Sequence, residues 1–120
     1  MAEKAEKIAG LVVLGGIWKV PTVDEEPEIV LVRWQVFEET DGPQVGARHL
    51  VGYNESALEG RVSTAIVGYN PQTKVCKTTS GRTYYLKGPS GEDPDGIYVW
   101  NRWSRGVGIK DFRNVSSEFI

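Results

Sequence analysis

Arginine and tyrosine side chains recur in the second half of this chain, and their chemistry is that of molecular recognition. Arg61, Arg82 and Arg102 are interspersed with tyrosines and tryptophans, and Tyr84 follows a Ser-Gly turn. Such side chains offer a large contact area at low entropic cost, and they are common in recognition surfaces. We predict that Arg61, Arg82, Tyr84 and Arg102 are contact residues, with Arg82 exposed or hydrogen-bonded to the turn. The alternative is that the aromatic side chains pack in the core.

The only histidine, His49, is the side chain best suited to general acid–base catalysis near neutral pH. A lone histidine in a half-buried strand is more often a hydrogen-bonded structural residue. Catalytic triads assemble across a fold, but no serine here stands in a Gly-x-Ser-x-Gly turn. The sequence therefore favours a protein that is not an enzyme. An enzyme of unrecognised class centred on His49 is kept as an alternative.

Metal and cofactor binding are not expected from this sequence. One histidine and one cysteine, Cys76, cannot supply the four nitrogen or sulfur ligands of a structural zinc site. The acidic loop with Glu92, Asp93 and Asp95 lacks the regular ligand spacing of a calcium loop. The glycines within residues 106–108 match no dinucleotide or phosphate loop. We predict no metal ion and no cofactor, and we interpret Cys76 as a packing residue of a strand.

The charge balance argues against a dedicated binder of duplex DNA. The 120 residues include 14 basic and 16 acidic side chains, which gives a net charge of −2, whereas such proteins carry a strong basic excess. Residues 46–91 nevertheless hold six basic residues against two acidic ones. Binding of single-stranded nucleic acid, in which bases stack on aromatic rings, therefore stays open as an alternative.

Hairpin signals divide the middle of the chain into short strands. Turn residues at 39–43, 69–73 and 79–82 separate runs that are rich in β-branched and aromatic residues. In the longest run, strand alternation predicts one core face, made of Val30, Val32, Trp34 and Val36. Residues 54–60 are predicted to be a polar connection. The strands themselves are predicted at residues 28–38, 45–53, 62–69, 74–79 and 82–87.

The segment Ile97–Trp103 has the composition of a strand but is preceded by a helix-start signal. Asp93 and Pro94 resemble a capping residue and the first residue of a helix. Trp100 and Trp103 would share one helical face. We therefore predict a short helix here, with a strand as the alternative, followed by a short strand or packed tail to the end of the chain.

The N-terminal part of the chain carries no targeting signal that we recognise. Residues 1–7 are polar and are predicted to be a flexible or weakly helical tail, and short strands are predicted at 11–14 and 17–20. The apolar stretch 8–18 is shorter than the roughly 20 residues that a membrane span needs, and it lacks a cleavage site. With a single cysteine and hence no internal disulfide, a cytoplasmic location without membrane contact is expected.

Together these elements predict a mainly β protein of one domain over residues 1–120. We expect an antiparallel meander that curls into a barrel or half-barrel, with one short C-terminal helix packed across it. Exposed strand edges can pair between chains, so a monomer and a homodimer are both compatible with the sequence.

Four short motifs, in their order along the chain, resemble small uncharacterised bacterial proteins of plasmids, phages and other mobile elements. They are His49–Tyr53, Glu59–Ser63, Thr79–Tyr84 and Tyr98–Trp103. The resemblance covers about residues 30–105 and carries no activity, so it transfers no catalytic residue. It implies a bacterial cytosolic setting and an association with mobile elements.

These observations lead to one principal hypothesis about function. The protein is expected to be a non-enzymatic binding module that docks a protein partner through a sheet face rich in arginine and tyrosine. A mobile-element accessory or inhibitor protein would be one such module.

Overall fold

The computed structural model describes residues 23–120, which form one seven-stranded sheet and one α-helix near the C-terminus. The mainly β architecture with a C-terminal helix is confirmed. The predicted tail at 1–7 and the predicted strands at 11–14 and 17–20 lie outside the described residues. The elements are β1 (Glu28–Asp41), β2 (Arg48–Asn54), β3 (Glu59–Val62), β4 (Ile66–Asn70), β5 (Val75–Thr78), β6 (Thr83–Leu86), α1 (Pro94–Val107), β7 (Asp111–Asn114) and a 3-10 helix (Ser116–Phe119).

The strand order is β3-β2-β1-β6-β5-β4, and β7 also pairs with β1. The predicted hairpin of β1 with β2 and the predicted meander of β4, β5 and β6 are both present as antiparallel pairs. However, β1 and β6 run parallel, so the sheet is not wholly antiparallel. The segment predicted as a polar connection ends in the short strand β3, which pairs with β2.

The sheet curls strongly because its two end strands are neighbours in the chain. β3 and β4 stand at opposite ends of the strand order, yet only residues 63–65 separate them. Three extended residues span about 10 Å, so the sheet must bend until its ends approach each other. The end strands do not pair, so the sheet is open and the predicted barrel is not confirmed.

A bulge in β1 interrupts the regular alternation of side chains that the sequence predicts. The register of β1 against β2 shifts between Val32 and Gln35, and Arg33 within this bulge has a φ of 45°. One extra residue reverses which face the following side chains occupy. The prediction of a single face through Val30, Val32, Trp34 and Val36 was therefore wrong. The buried cluster on this side instead contains Ile29, Leu31, Trp34 and Val36.

Buried side chains lie on both faces of β1 and β2. The inner face, which is the concave side of the curled sheet, is filled from β1, β2, β5 and β6 and closed by Val115 and Phe119. The outer face lies under α1 and contains Phe37, Val51 and Trp100. The helix and the C-terminal 3-10 helix thus cover opposite faces of the sheet.

The helix α1 confirms the predicted helix and extends it at both ends. Asp93 is its N-cap, and an oxygen of its side chain accepts a hydrogen bond from the Gly96 amide at 2.9 Å. Gly108 ends the helix with a φ of 90°, and its amide donates to the carbonyl oxygen of Ser104. Within residues 23–120, no helix is long and apolar enough to span a membrane.

The first turn of α1 lies directly on the backbone of β2 and β3. A Cβ atom added to Gly96 would lie 2.8 Å from the carbonyl oxygen of Gly52. A Cβ atom added to Gly60 would collide with the backbone of Asp95. Since the obstacles are backbone atoms, glycine is required at these positions for the helix to approach so closely.

Candidate functional site

Three of the four predicted contact residues meet on the inner face of the sheet. Arg61 extends from β3 to β6, where its Nε donates a hydrogen bond to the Tyr84 hydroxyl at 3.2 Å. The Nε of Arg82 donates to the backbone carbonyl oxygen of Glu26 at 2.8 Å. We call the set formed by Arg61, Arg82, Tyr84, Glu26 and Asn54 the arginine cluster.

The arginines of this cluster are buried. Of the two alternatives expected for Arg82, exposure is not observed, but the hydrogen bond to the turn is: its backbone amide donates to the Ser80 hydroxyl at 3.3 Å. Arg61 and Arg82 are each 6% exposed, and Tyr84 is 1% exposed. Gly52 is the cross-strand neighbour of Arg61, and the space beside it is filled by the Leu31 side chain, which a Cβ atom at Gly52 would approach to 2.9 Å. The sequence predicts Arg61, Arg82 and Tyr84 as contact residues. It does not predict that they lie close together, because their proximity depends on the curl of the sheet and not on a local pattern.

Electrostatic interactions within the arginine cluster shift the pKa values of both arginines. Burial by itself lowers the pKa of Arg61, but Tyr84 and nearby carboxylates, first among them that of Glu26, outweigh this and raise it. Burial lowers the pKa of Arg82, and the positive charge of Arg61 lowers it further. The two guanidinium groups therefore lie close enough to repel each other. Burial also raises the pKa of Glu59, which Arg61 opposes.

Within residues 23–120, one carboxylate oxygen of Glu26 has no hydrogen-bond donor. Its Oε2 accepts a long hydrogen bond of 3.4 Å from the side-chain amide of Asn54. Its Oε1 is buried and has no partner in this part of the chain. A buried acceptor without a donor is costly, because it has lost its water and gained nothing in exchange.

The fourth predicted contact residue, Arg102, lies on α1 and not in the arginine cluster. Val62 packs with the residues under α1 on the outer face, so its neighbour Arg61 points to the opposite, inner face. The Arg102 guanidinium carbon lies 5.7 Å from the centroid of the Tyr98 ring. Tyr98 is 52% exposed. We call the outer side of the helix, formed by Tyr98, Asn101, Arg102 and Arg105, the helix face.

His49 and Glu39 form a buried pair beneath α1, and each is 2% exposed. His49 Nε2 lies 2.7 Å from a carboxylate oxygen of Glu39. His49 Nδ1 lies 3.0 Å from the carbonyl oxygen of Ser63, and because a carbonyl only accepts, Nδ1 must carry hydrogen. The other oxygen of Glu39 accepts from the backbone amide of Gln44. With both ring nitrogens engaged, His49 fits the expected structural role.

The sequence analysis missed Glu39 as the partner of His49, because we assigned that glutamate to the turn. The hairpin register holds the signal that could have revealed the pair. Phe37 and His49 are directly opposite in β1 and β2, and Glu39 follows Phe37 by two residues on the same face of the strand. A hairpin predicted with this register would have placed the two polar side chains side by side.

The remaining candidate groups have structural partners or surroundings. Cys76 is fully buried, and burial raises the pKa of its thiol to about 12, so it carries a proton at neutral pH. Asp93 binds Arg33 at 2.9 Å in addition to capping α1. Among residues 23–120, no group of three or more histidine, cysteine, aspartate and glutamate side chains is placed to hold a metal ion.

Comparisons with known proteins do not assign this chain to a family. No protein-family model matches it, and neither a curated protein nor a solved structure matches it. The arguments about function below therefore depend on the geometry of the described residues.

Proposed function

We propose that this protein is a non-enzymatic binding module that docks an acidic protein surface. The helix face, with Tyr98 and Arg102 at its centre, is the proposed contact area. The observation that carries this proposal is the exposure of Tyr98: a large aromatic ring lies more than half in solvent, beside an arginine, on a helix that is fixed at both ends. Tyrosine and arginine are two of the residue types that dominate binding energy in interfaces.

The rigidity of α1 favours binding at the helix face. Asp93 caps its start, Gly108 ends it, and Gly96 holds its first turn against the backbone of β2. A surface that is already ordered loses less conformational entropy when a partner binds. The helix face therefore offers its aromatic and cationic groups in a fixed arrangement.

The charge of the helix face supports an acidic partner. Arg102 and Arg105 belong to its C-terminal half, and Arg105 is exposed. Complementary charge mainly speeds association and excludes wrong partners. Because Arg61 and Arg82 are buried, much of the basic excess of residues 46–91 is not at the surface. This weakens the alternative of single-stranded nucleic acid, whose phosphates need accessible cations.

The biological setting of the proposal comes from the motif resemblance alone. It supports a bacterial cytosolic protein that serves a plasmid or phage as an accessory or an inhibitor. In that setting, an acidic surface of a host or mobile-element protein would be the partner of the helix face.

An affinity capture of partners from lysate tests the proposal when it compares three forms of the protein. The wild type, the double variant Tyr98→Ala with Arg105→Glu, and the control Lys77→Glu are used as bait, at low and physiological salt and with nuclease. Lys77 is an exposed residue of β5, so its reversal changes the net charge equally away from the helix face. We expect a protein that the wild type and the control retain after nuclease treatment and that the double variant loses.

Two outcomes would contradict this function. If the double variant captures the partner as well as the wild type does, the helix face is not the binding surface. Capture that disappears with nuclease and falls steeply with salt would instead indicate nucleic-acid binding.

A further inference from the structure

A buried guanidinium and a buried carboxylate oxygen lie near each other inside the curled sheet without forming an ion pair. Glu26 is close enough to Arg61 to raise its pKa. Yet among residues 23–120 the Arg61 side chain has a single hydrogen bond, from Nε to the Tyr84 hydroxyl, and no carboxylate within ion-pair distance. Both groups belong to the arginine cluster, so this observation is independent of the helix face.

Both groups have unused hydrogen-bonding capacity that points to a missing occupant. Within residues 23–120, Glu26 Oε1 is buried without a donor, whereas the terminal amino groups of Arg61 make no hydrogen bond to these residues and are not sealed from solvent. The buried Glu26 oxygen has lost its hydration without gaining a hydrogen bond, and the Arg61 amino groups remain available to a ligand. A group that accepts from Arg61 and also donates to Glu26 would satisfy both at once.

The required combination of acceptors and a donor defines the chemistry of the occupant. A guanidinium fork matches two oxygens of an oxyanion, and a carboxylate can only accept a hydrogen bond. A phosphate group that retains one proton has several acceptor oxygens and one O–H donor. Sulfate has the same shape but carries no proton at neutral pH. We propose that Arg61, Tyr84 and Glu26 form a binding site for a protonated phosphate group.

The rest of the arginine cluster favours this assignment. The Tyr84 hydroxyl holds the Arg61 side chain in place through Nε, which leaves the terminal amino groups for the ligand. Asn54 donates to Glu26 Oε2 and so orients the carboxylate. The Arg82 guanidinium adds a second positive charge close to Arg61. Outside the arginine cluster, the Glu59 carboxylate would repel an anion, but burial raises its pKa and so favours its neutral form.

The test is a titration of the full chain with inorganic phosphate and, separately, with sulfate, at neutral pH and constant ionic strength. Chemical shifts of backbone amides and arginine Nε–H groups report binding. We expect saturable shifts at Arg61 and Tyr84 with phosphate, and at least about tenfold weaker binding of sulfate, because one charge-assisted hydrogen bond distinguishes the two ions.

Substitutions assign this selectivity to individual side chains. Arg61→Gln is expected to abolish phosphate binding, and Arg61→Lys, which keeps the charge but loses the fork, to weaken it about tenfold. Glu26→Gln is expected to remove the preference for phosphate over sulfate, because an amide can donate as well as accept. Lys77→Gln removes an equal charge from an exposed position of β5, outside both proposed sites, and should bind phosphate like the wild type.

The proposal is overturned if phosphate produces no saturable shift in the arginine cluster, which would leave a bridging water as the occupant. Equal affinity for phosphate and sulfate would also overturn it, since Glu26 would then play no part. If Arg61→Gln does not fold, Glu26→Gln and Arg61→Lys decide the question: unchanged selectivity and affinity in both folded variants would exclude the site.

Discussion

At the scale of single residues, this protein buries ionisable side chains at positions where a charge is unfavourable. Arg61 and Arg82 are nearly inaccessible, and His49 and Glu39 are buried together under aromatic rings. Buried charges are tolerated when hydrogen bonds and opposite charges compensate them. Their substitution therefore has effects on stability that can be separated from effects on binding.

Charge reversal at Arg82 is expected to destabilise the fold. Its Nε donates to the Glu26 carbonyl at 2.8 Å, and the residue is only 6% exposed. In Arg82→Glu a carboxylate would face that carbonyl oxygen, and we expect the free energy of unfolding to fall by about 3 kcal/mol. Denaturant unfolding measures the change, with the exposed Lys77→Glu as the control for equal charge. An unchanged unfolding midpoint in Arg82→Glu would mean that the arginine is at the surface.

The His49–Glu39 pair predicts strong coupling in a double-mutant cycle. His49→Phe should cost about 3–5 kcal/mol, because it leaves the Glu39 carboxylate buried without its partner. Glu39→Leu should cost about 1–3 kcal/mol through the unpaired imidazole nitrogen. The free energy of unfolding of the double variant should fall by less than the sum of the two single losses. We expect a coupling energy of at least about 1 kcal/mol from denaturant unfolding. Additive losses would mean that the two side chains do not interact.

At the scale of elements, the contacts that fix α1 involve glycines more than large side chains. The helix start lies so close to β2 and β3 that backbone meets backbone at Gly52, Gly60 and Gly96. The helix face can be rigid because this contact cannot be repacked by a change of side-chain rotamer.

Substitution of Gly96 by alanine tests this close approach. The added Cβ would lie 2.8 Å from the Gly52 carbonyl oxygen, which cannot move without displacing β2. We expect a loss of at least about 2 kcal/mol in thermal or denaturant unfolding. Gly106→Ala, on the exposed side of the same helix, should instead be neutral or stabilising by up to about 1 kcal/mol. Equal effects at the two glycines would rule out the tight contact.

The elements also mark how far the sequence could predict this structure. The β1–β2 hairpin, the β4–β6 meander and α1 were predictable because Asp41-Gly42, Ser80-Gly81 and Asp93-Pro94 are local turn and cap signals. The bulge in β1 could not be predicted, because Arg33 adopts a left-handed backbone conformation that glycine usually adopts. The parallel pairing of β1 with β6 joins segments about fifty residues apart, and no local pattern specifies it.

The candidate site was predictable in composition and not in position. The residue types of Arg61, Arg82 and Tyr84 led to their prediction as contact residues. Their burial in one cluster results from the curl of the sheet. Glu26, the residue that gives the cluster its unpaired acceptor, lay in a stretch that reads as a surface loop. Its burial follows from tertiary packing and cannot be derived from the acidic composition of that stretch.

At the scale of the whole molecule, an open sheet separates two buried clusters. The inner cluster contains buried residues of β1, β2, β5 and β6, and Ile66 and Tyr69 of β4 pack against them. Cys76 of β5 belongs to this inner cluster, and its thiol has a pKa raised by burial to about 12 from 9.0. Above pH 9 the unfolded chain therefore loses a proton that the folded chain keeps, so stability contributed by Cys76 is lost as pH rises towards 12. In urea unfolding across this window, Cys76→Ala should show a shallower decline than the wild type. A parallel decline would contradict the raised pKa.

The same thiol also reports whether the sheet opens as a whole or strand by strand. Cys76 is fully buried, whereas the next residue, Lys77, is exposed on the other side of β5. At pH 8 in the absence of denaturant, alkylation of Cys76 should be at least about 10³-fold slower than in the unfolded chain, because it requires global unfolding. The double variant Cys76→Ala with Lys77→Cys carries a thiol one residue away and should react rapidly while folded. If Cys76 reacts as fast as this control, β5 separates from β6 without global unfolding, and the inner cluster is not a single cooperative unit.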